Sequence, residues 1–349
     1  KEFKKDKNYK TIIIATSQHE ELLTEVIDLF NLKIDFNLHI MRKNQSLSEL
    51  SSRLIKGLGE IYNKIQPDII FVQGDTSSSF LGALTGFYKK ITVAHIEAGL
   101  RTFDKFSPFP EEINRVFIDL IADYLFPPTA TSKTNLINSG VDKKRILVSG
   151  NTGIDALLMT IKMKKKFQEK KLKSLNSEKI ITITTHRRES FGKPIMNTLK
   201  AIKILAKKLK DFQFVFPVHP NPNVKRIVNS QLADLKNVIL TKPLNYSDFI
   251  LLMSKSKLII TDSGGIQEEA PVLGKPVLIL RDKTERPEAV AKGAAILVGT
   301  DTSLIVNETM KLIEDQKAYK KMAKVRYLYG DGNAGKKIYD FIVKEAQPL

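Results

Sequence analysis

The chain has 349 residues, of which 42% are hydrophobic and 27% charged, a balance typical of a globular domain protein. It has no cysteine, which excludes disulfides, thiolate nucleophiles and cysteine-bound zinc, and no apolar run reaches the roughly 18 residues of a membrane-spanning helix. The formal net charge of +18 comes mostly from scattered lysines, a pattern more typical of solvated surface than of a nucleic-acid-binding site. We therefore expect neither nucleic acid nor membrane as a partner, and a cytoplasmic location.

Short β-branched runs alternate along the chain with amphipathic segments. The runs predicted to be strands are residues 11–16, 68–75, 92–99, 124–128, 145–150, 179–185, 213–219, 237–241, 257–261, 276–280 and 294–298. Several are almost continuously apolar, as expected of parallel strands that are covered on both faces. Residues 47–65 and 195–209 have apolar side chains at spacings of three and four, which predicts helices.

Strand–helix alternation over this length predicts a doubly wound α/β fold. The lysine-rich stretch at residues 162–173 divides the pattern into two series. We predict an N-terminal Rossmann-like domain over residues 1–165, a second one over residues 174–326, and a C-terminal helix within residues 327–349 that packs back on the first domain. Two such domains would place a ligand cleft along the carboxyl ends of both sheets.

The segment TDSGGIQEEA at residues 261–270 combines the end of an apolar strand, two glycines and the start of a helix. Glycines let the backbone approach a phosphate, and a helix N-terminus favours negative charge. The alternative is a plain strand-to-helix turn, in which the two glycines serve only to turn the chain. The sequence contains neither GxGxxG nor GxxxxGK[ST], which disfavours NAD-dependent enzymes and P-loop NTPases.

Three acidic residues follow predicted strands or open a predicted helix in the first half of the chain. They are Asp75 in QGDT, Glu97 in HIEAGLR and Glu111 in PFPEEINR. Each of them alone is typical of a cap or a turn. Together at one sheet edge they would form a proton-transfer site, because neighbouring, partly buried carboxylates acquire raised pKa values.

Basic residues follow strands in the second half, with His186 and Arg187 after one strand and His219 after the next. Such a cluster suits a pyrophosphate. His19 follows the first strand, and His39 has no supporting context. Histidine pairs at metal-ligand spacing are missing from the sequence, so we predict no essential metal.

Taken in order, these segments resemble the non-hydrolysing UDP-N-acetylglucosamine 2-epimerases, whose two-domain fold is called GT-B. The motifs are SQH at 17–19, GDT at 74–76, HIEAGLR at 95–101, PEEINR at 110–115, GNT at 150–152, THRRE at 185–189, HPNP at 219–222, DSGGIQEE at 262–269, TERPE at 284–288 and YGDG at 329–332. The resemblance implies interconversion of UDP-N-acetylglucosamine and UDP-N-acetylmannosamine by anti elimination of UDP, through 2-acetamidoglucal, and re-addition. It implies no cofactor, and a product that serves cell-surface polysaccharide.

The same resemblance assigns roles to individual residues. It implies a catalytic group of Asp75, Glu97, Glu111 and His186, and leaves open which acid deprotonates C2 and which reprotonates it. It implies contacts to UDP or the sugar from Ser263, Gly264, Gly265, Glu269, Phe249, Arg286 and Arg115. It further implies a homodimer and a second UDP-N-acetylglucosamine bound as activator by Gln18, His19, Arg187 and His219.

The family begins with a β–turn–α unit that this sequence lacks. Because the first strand of a Rossmann-like sheet is central, we expect poor stability or low activity of a chain without it. Three alternatives stay open. Two are a GT-B glycosyltransferase and a hydrolysing epimerase that releases free sugar. The third, which the missing unit suggests, is an inactive remnant that binds nucleotide sugar without turnover.

Overall fold

The computed structural model of the chain describes residues 1–16, 20–42, 45–175, 179–185 and 192–345. The chain forms two compact units. Unit 1 consists of Lys1–Asp155 together with Tyr329–Leu349, and unit 2 is Ala156–Leu328. No helix within the described ranges is long and apolar enough to cross a membrane.

Both units are built from short strands and longer helices. The strands are β1 (Ile14–Ala15), β2 (Phe36–Asn37), β3 (Ile69–Gln73), β4 (Thr92–Ile96), β5 (Tyr124–Phe126), β6 (Ile180–Thr184), β7 (Gln213–Pro217), β8 (Val238–Thr241), β9 (Leu258–Thr261), β10 (Val277–Ile279) and β11 (Ala295–Leu297). The helices are α1 (Glu2–Lys5), α2 (Glu20–Leu29), α3 (Leu47–Ile65), α4 (Ser77–Tyr88), α5 (Glu111–Ile121), α6 (Ala130–Asn138), α7 (Thr152–Lys162), α8 (Lys193–Lys208), α9 (Pro222–Leu232), α10 (Tyr246–Lys255), α11 (Gly264–Val272), α12 (Pro287–Ala291), α13 (Thr302–Glu314), α14 (Gln316–Ala323) and α15 (Ala334–Glu345).

Every strand pair in the described residues is parallel, which confirms the predicted α/β class. Unit 2 contains one six-stranded sheet with the order β11-β10-β9-β6-β7-β8. In unit 1 the strands form a two-stranded sheet, β1-β2, and a three-stranded sheet, β3-β4-β5. Because the strands are parallel, all their carboxyl ends within a sheet meet at one edge, and the loops that carry the candidate residues leave from there.

Two strand predictions differ from the structure. Residues 145–150 were expected to form a strand, but they make only an isolated bridge, between Ile146 and Leu125. A 3₁₀ turn at Lys143–Arg145 precedes this segment, and Gly150, with φ of +85°, ends it, so it follows β5 without a regular ladder. Strand β2 was not predicted, because its two residues are too few for an alternation of apolar and polar side chains to be visible in the sequence.

Helix α3 has the bounds that its apolar spacing predicts. Its N-cap Ser46 accepts a hydrogen bond from the backbone N–H of Glu49, whose carboxylate accepts one from the N–H of Ser46 in return, and together they form a capping box. The helix buries Leu54 and Leu58 against the core of unit 1. Full burial of such a side chain stabilises the fold by roughly 1.5–3 kcal/mol.

The C-terminal helix α15 belongs to unit 1 and is anchored there by the start of α7. Asp155 accepts hydrogen bonds from the N–H groups of Ala334 (3.2 Å) and Gly335 (2.9 Å), the first residues of α15. Burial raises the pKa of Asp155 despite these bonds. At the other end of the helix, the ring of Phe341 packs edge-on against Phe126 of β5 at 5.7 Å.

Candidate active site

The turns that follow β3 and β4 in unit 1 are bound to each other through Gly74. Its N–H donates to the carbonyl oxygen of Ile96 at 3.0 Å, and its own carbonyl oxygen lies 2.9 Å from Nε2 of His95. Both polar groups of Gly74 are therefore held by β4, and its φ of +68° favours glycine. As a result Asp75, the next residue, has a fixed position beside the turn that carries Glu97.

Glu97 itself has a left-handed backbone conformation, with φ of +68°. Few residues other than glycine adopt this conformation, which costs of the order of 1 kcal/mol and is often found at functional sites. Its N–H donates to the carbonyl oxygen of Phe126 at 3.0 Å. A Cβ on Gly74 would lie 3.6 Å from Oε2 of Glu97, so the carboxylate extends towards the turn that precedes Asp75.

The first turns of α5 complete this group of residues. Asn114 donates from its side-chain amide to the carbonyl oxygen of Asp75 at 2.9 Å, and the guanidinium of Arg115 forms an ion pair with the Asp75 carboxylate. Arg115 also lies 3.2 Å from Oε2 of Glu112. Glu111 is the first residue of α5 and is half-buried. The structure thus brings Asp75 and Glu97 together at one edge of the sheet, with the start of α5 in contact with Asp75.

On α5, sequence analysis named Arg115 as a candidate ligand contact but did not predict that this residue belongs to a buried polar face of the helix. Glu112, Arg115 and Asp119 recur at spacings of three and four and are each almost completely buried. This spacing places them on one side of the helix, and charged residues at such positions are rarely buried without a role. The sequence signal for this face was the spacing itself: charged residues recur at the three- and four-residue intervals at which an ordinary amphipathic helix has its buried apolar residues.

In unit 2 the loop between β9 and α11 carries the predicted phosphate-binding residues. The backbone N–H of Ser263 donates to Oγ1 of Thr261 at 2.9 Å, and this oxygen lies 2.6 Å from Oγ1 of Thr184 at the end of β6. The N–H groups at the start of α11 are those of Gly264 and Gly265. The Ser263–Gly265 loop is therefore fixed to the ends of two adjacent strands, with a helix N-terminus open to an anion.

The two glycines have roles other than the predicted tight turn, since neither has a positive φ and both belong to the helix. A Cβ on Gly264 would lie 2.6 Å from Nη1 of Arg286, so glycine is needed there for the close approach of the guanidinium. A Cβ on Gly265 would meet nothing within 4 Å. The space that a side chain at position 265 would occupy, beside the helix N-terminus, is therefore open.

Arg286 belongs to a buried chain of alternating charges. Its Nε pairs with Glu268, and its Nη1 lies 2.7 Å from Oε1 of Glu285. The other oxygen of Glu285 lies 2.7 Å from Nη1 of Arg281. The predicted ligand contact of Arg286 would therefore come from a guanidinium that two carboxylates already orient.

Glu269 is half-buried next to this chain of charges, on α11. Burial, followed by the charge of Glu268, raises the pKa of Glu269 to about 8, although Arg286 opposes the shift. At neutral pH the carboxyl is therefore largely protonated in the free protein. Burial and the nearby Glu269 also raise the pKa of Tyr246, the first residue of α10. The predicted uracil neighbour, Phe249, lies one turn further along the same helix.

The remaining predicted residues include four that lie outside the described residues: Gln18, His19, His186 and Arg187. His219 is described and follows β7, where its Nδ1 accepts a hydrogen bond from the N–H of Asn221 at 3.1 Å. Within the described part of the chain there is no group of three or more His, Asp or Glu residues that could hold a metal ion.

Comparison with known proteins gives one consistent result. The family model for UDP-N-acetylglucosamine 2-epimerase matches residues 1–343. The Campylobacter jejuni protein called UDP-N-acetylglucosamine 2-epimerase is 45% identical over 98% of this chain and 92% of its own length. The corresponding protein of Neisseria meningitidis is 44% identical over 98% of this chain and 94% of its own.

Solved structures give the same result in three dimensions. The crystal structure of the N. meningitidis UDP-GlcNAc 2-epimerase bound to UDP-GlcNAc is similar with a TM-score of 0.93 and 44% identity, covering 98% of this chain and 94% of that one. The co-structure of S. aureus MnaA with UDP is similar with a TM-score of 0.92 and 36% identity, covering 99% and 91%. These likenesses confirm the predicted GT-B fold. Since the family model and the relatives both span nearly all of its length, the chain belongs to the UDP-N-acetylglucosamine 2-epimerase family.

Proposed function

We propose that this chain interconverts UDP-N-acetylglucosamine and UDP-N-acetylmannosamine by inverting carbon 2 of the sugar. Family membership supports this, as does the UDP-GlcNAc bound to the similar protein of N. meningitidis. The observation that carries the proposal is the junction of Asp75, Glu97 and the start of α5 at one sheet edge. Inversion at carbon 2 needs a proton removed from one face and another delivered to the opposite face, and this junction offers more than one carboxylate for the task.

The proposed reaction is redox-neutral and balances without a co-reactant. One carboxylate takes the C2 proton while the bond between C1 and the UDP oxygen breaks, which leaves 2-acetamidoglucal and UDP. The same UDP then re-forms the C1–O bond as a proton is delivered to the other face of C2. We assign Asp75, Glu97 and Glu111 to these proton transfers, with His186 at the leaving phosphate.

The loop at Ser263–Gly265 is the proposed site of the pyrophosphate. Negative charge grows on UDP as the C1–O bond breaks, and N–H groups at a helix N-terminus stabilise such charge. The open side of Gly265 leaves room for a phosphate oxygen to approach the backbone. Glu269 is the proposed ribose contact, Phe249 the apolar neighbour of uracil, and Arg286 and Arg115 further contacts to the nucleotide sugar.

We further propose that the chain forms a homodimer through unit 1. Helix α4 contains no charged residue in its 12 positions, and it packs beside α5, with the rings of Phe80 and Phe117 5.6 Å apart. Half of the fourteen large apolar side chains that are exposed within the described residues lie between residues 87 and 120, among them Tyr88 and Leu120. Exposed apolar side chains concentrated in one stretch of chain favour a protein interface there, and α4 itself adds no charge that would repel a second copy of this basic chain.

Two parts of the proposal concern regulation and location. A second UDP-N-acetylglucosamine is proposed to act as activator, bound by Gln18, His19, Arg187 and His219. The enzyme is proposed to work in the cytoplasm, where its product would supply N-acetylmannosamine for cell-surface polysaccharide. Both rest on family resemblance, and His219 is the only one of the four activator residues within the described part of the chain.

Proton NMR of UDP-N-acetylglucosamine incubated with the chain in D₂O tests the proposed reaction. We expect UDP-N-acetylmannosamine to appear with deuterium at C2. Release of UDP and free sugar would instead indicate a hydrolysing enzyme, and substrate left unchanged by folded protein that binds UDP would indicate a remnant without turnover. A product that forms only with an added sugar acceptor would indicate a glycosyltransferase.

Light scattering after size-exclusion chromatography measures the mass of the chain in solution and so tests the proposed dimer. Leu120→Glu places a charge on the proposed interface, and we expect it to shift the mass from dimer to monomer. Leu304→Glu, at an exposed position of unit 2, is the matched control and should leave the mass unchanged. A wild-type chain that elutes as a monomer would refute the proposal.

A further inference from the structure

The positive charge of the chain is distributed very unevenly between its two units. Residues 156–328, which form unit 2, contain 33 Lys and Arg against 16 Asp and Glu, a formal net charge of +17. The rest of the chain contains 23 and 22, a net charge of +1. Both units come from one gene, so a general lysine-rich composition does not account for the difference. Such asymmetry between parts of a chain points to an anionic partner.

The fold gathers many of these lysines at one edge of the unit 2 sheet. Each of its six strands is preceded, within three residues, by a lysine: Lys179, Lys210, Lys236, Lys257, Lys275 and Lys292. Since all six strands are parallel, these lysines share the amino-end edge, opposite the edge that carries the Ser263–Gly265 loop. With strands about 4.8 Å apart, the row is about 24 Å long. In the sequence the same lysines are scattered over more than a hundred residues.

Unit 1 has fewer lysines at this edge, since Lys33 precedes β2 and Lys89 and Lys90 precede β4, but no lysine lies within three residues before β1, β3 or β5. There Asp35, Asp68 and Asp123 directly precede β2, β3 and β5. Asp35 accepts a hydrogen bond from the N–H of Ile13, and Asp123 accepts one from the N–H of Val93, both at 2.8 Å. The equivalent edge of unit 1 thus carries carboxylates that bind backbone N–H groups beside its lysines. In unit 2 a lysine precedes every strand, and one of them, Lys179, pairs with Asp211 at 3.3 Å.

The cations of unit 2 are also close enough to repel one another. By the register of β9 and β10, Lys257 and Lys275 lie opposite each other on adjacent strands, and like charges at such positions are destabilising. Burial lowers the pKa of Lys275, and Lys257 and Arg326 lower it further. Lys257 stacks on the ring of Tyr319 in α14 at 3.7 Å. Helix α14 therefore borders the row, and it adds the exposed Lys320 to the same side of the unit.

Two simpler explanations account for only part of this pattern. Cations near helix C-termini interact favourably with the helix dipole, by about 0.3–1 kcal/mol each, and several helices of unit 2 end at this edge. The helix dipole does not explain why the fold places two cations next to each other on adjacent strands, as it does with Lys257 and Lys275. Electrostatic steering of an anionic substrate would favour cations near the Ser263–Gly265 loop, but the row lies at the opposite edge of the sheet.

Although the scattered lysines of the sequence led us to expect no membrane partner, we propose that this lysine row, with α14 beside it, is a docking surface for an anionic phospholipid membrane. A row of strand ends and one bordering helix offers a broad array of point charges, which suits diffuse attraction to a lipid headgroup layer. A single-stranded nucleic-acid site combines a basic groove with exposed aromatic rings on which bases stack, and the row itself is made of lysine. The contact would be peripheral and is compatible with the absence of a spanning helix in the described residues.

Vesicle flotation with the full-length chain tests the proposal. Vesicles of phosphatidylglycerol mixed with phosphatidylcholine are compared with vesicles of phosphatidylcholine alone, at low and high salt. The variant carries Lys236→Gln, Lys292→Gln, Lys320→Gln and Lys321→Gln, all at exposed positions outside the proposed active site. The matched control carries Lys7→Gln, Lys56→Gln, Lys143→Gln and Lys144→Gln, also exposed but in unit 1.

We expect the wild-type chain and the unit 1 control to float with phosphatidylglycerol vesicles at low salt and to be released at high salt. Each lysine near an anionic surface contributes about fivefold in binding, so the unit 2 variant should bind at least about tenfold more weakly while keeping its turnover. Failure of the wild-type chain to float would overturn the proposal. So would equal loss in the control, which would assign the effect to net charge, or binding of an oligonucleotide that displaces the chain from the vesicles.

Discussion

Nδ1 of His95 lies 2.7 Å from Oδ1 of Asp119, and both side chains are completely buried. The other ring nitrogen, Nε2, faces the carbonyl oxygen of Gly74, which can only accept a hydrogen bond, so Nε2 carries a proton. Oδ2 of Asp119 also accepts hydrogen bonds from Arg101 and from the N–H of Gly99. The ring of His95 therefore links α5 to the turn that carries Asp75, with one hydrogen bond at each of its nitrogens.

We expect His95→Gln to lower kcat by about 10–100-fold with little change in KM, because the substitution releases the turn at Gly74 without touching the substrate. Disturbing this buried hydrogen-bonded pair should also lower the free energy of unfolding by about 1–3 kcal/mol. Steady-state kinetics and urea denaturation measure the two effects. His39→Gln, at a histidine without an assigned role, is the control.

A second-site variant separates positioning from general loss of structure. The side-chain amide that His95→Gln introduces can still donate to the carbonyl oxygen of Gly74, but its oxygen then faces the Asp119 carboxylate. Adding Asp119→Asn supplies a donor at that position, and we expect the double variant to regain part of kcat. A double variant with a kcat no higher than that of either single variant would contradict the positioning role.

Asp75→Asn should lower kcat by about 10²–10⁴-fold, the usual contribution of a positioned acid or base, and should change KM little. Exchange of the C2 proton with D₂O, followed by NMR, measures the affected step directly. The exposed Asp68→Asn, at the residue before β3, tests the same chemical change away from the junction and should leave exchange unaffected. Near-normal exchange in Asp75→Asn would remove this residue from the catalytic group.

The raised pKa of Glu269 predicts a dependence of stability on pH. The pKa of Glu269 is about 8 in the folded chain and near 4.5 in the unfolded one. The contribution of its protonated carboxyl to the free energy of unfolding is therefore complete below about pH 4.5 and is lost as the pH rises towards 8. Glu269→Gln stays neutral throughout, so we expect it to be more stable than the wild type at pH 9, with the difference shrinking towards pH 5. Urea denaturation across this pH range measures the trend, and parallel curves for the two proteins would contradict it.

The adjacent glycines of the nucleotide loop should respond differently to the same substitution. Gly264→Ala places a methyl group 2.6 Å from Nη1 of Arg286, and we expect it to lower the free energy of unfolding by about 1–3 kcal/mol. Gly265→Ala meets no atom within 4 Å and should leave stability nearly unchanged, yet weaken UDP binding if a phosphate occupies that open space. Thermal unfolding and calorimetric titration with UDP distinguish the two, and unchanged UDP affinity in Gly265→Ala would argue against the phosphate site.

The features that sequence reasoning predicted well are those set by nearby residues. Helix α3 has the predicted bounds because both its apolar spacing and its capping box, Ser46 with Glu49, are local. The placement of Asp75 and Glu97 after neighbouring strands follows from the parallel arrangement that the strand–helix alternation implies. The bounds of α3 are thus set within a short stretch of sequence, whereas the neighbouring positions of Asp75 and Glu97 are set by the repeating pattern of strands and helices.

The features that it missed depend on contacts between distant parts of the chain. His95 and Asp119 are 24 residues apart, and only the packing of α5 against β4 brings them together. Gly264 was expected to let the backbone approach a phosphate or, as the alternative, to turn the chain, but the structure gives a further reason for a glycine there, namely Arg286, 22 positions further on. The lysine row of unit 2 is invisible in the sequence for the same reason, since strand order rather than chain order makes the six lysines neighbours.

The division of unit 1 into two stretches of chain has a consequence for its synthesis. The surface of β5 that Phe341 covers is made early, but the ribosome must add the 173 residues of Ala156–Leu328 before α15 follows. At about 5–20 residues per second, this surface waits for roughly 10–35 s without its covering helix. Unit 2 is a single stretch, and its synthesis is complete before that of α15. Unit 1 is therefore begun first but gains its last helix only after all of unit 2 has been made.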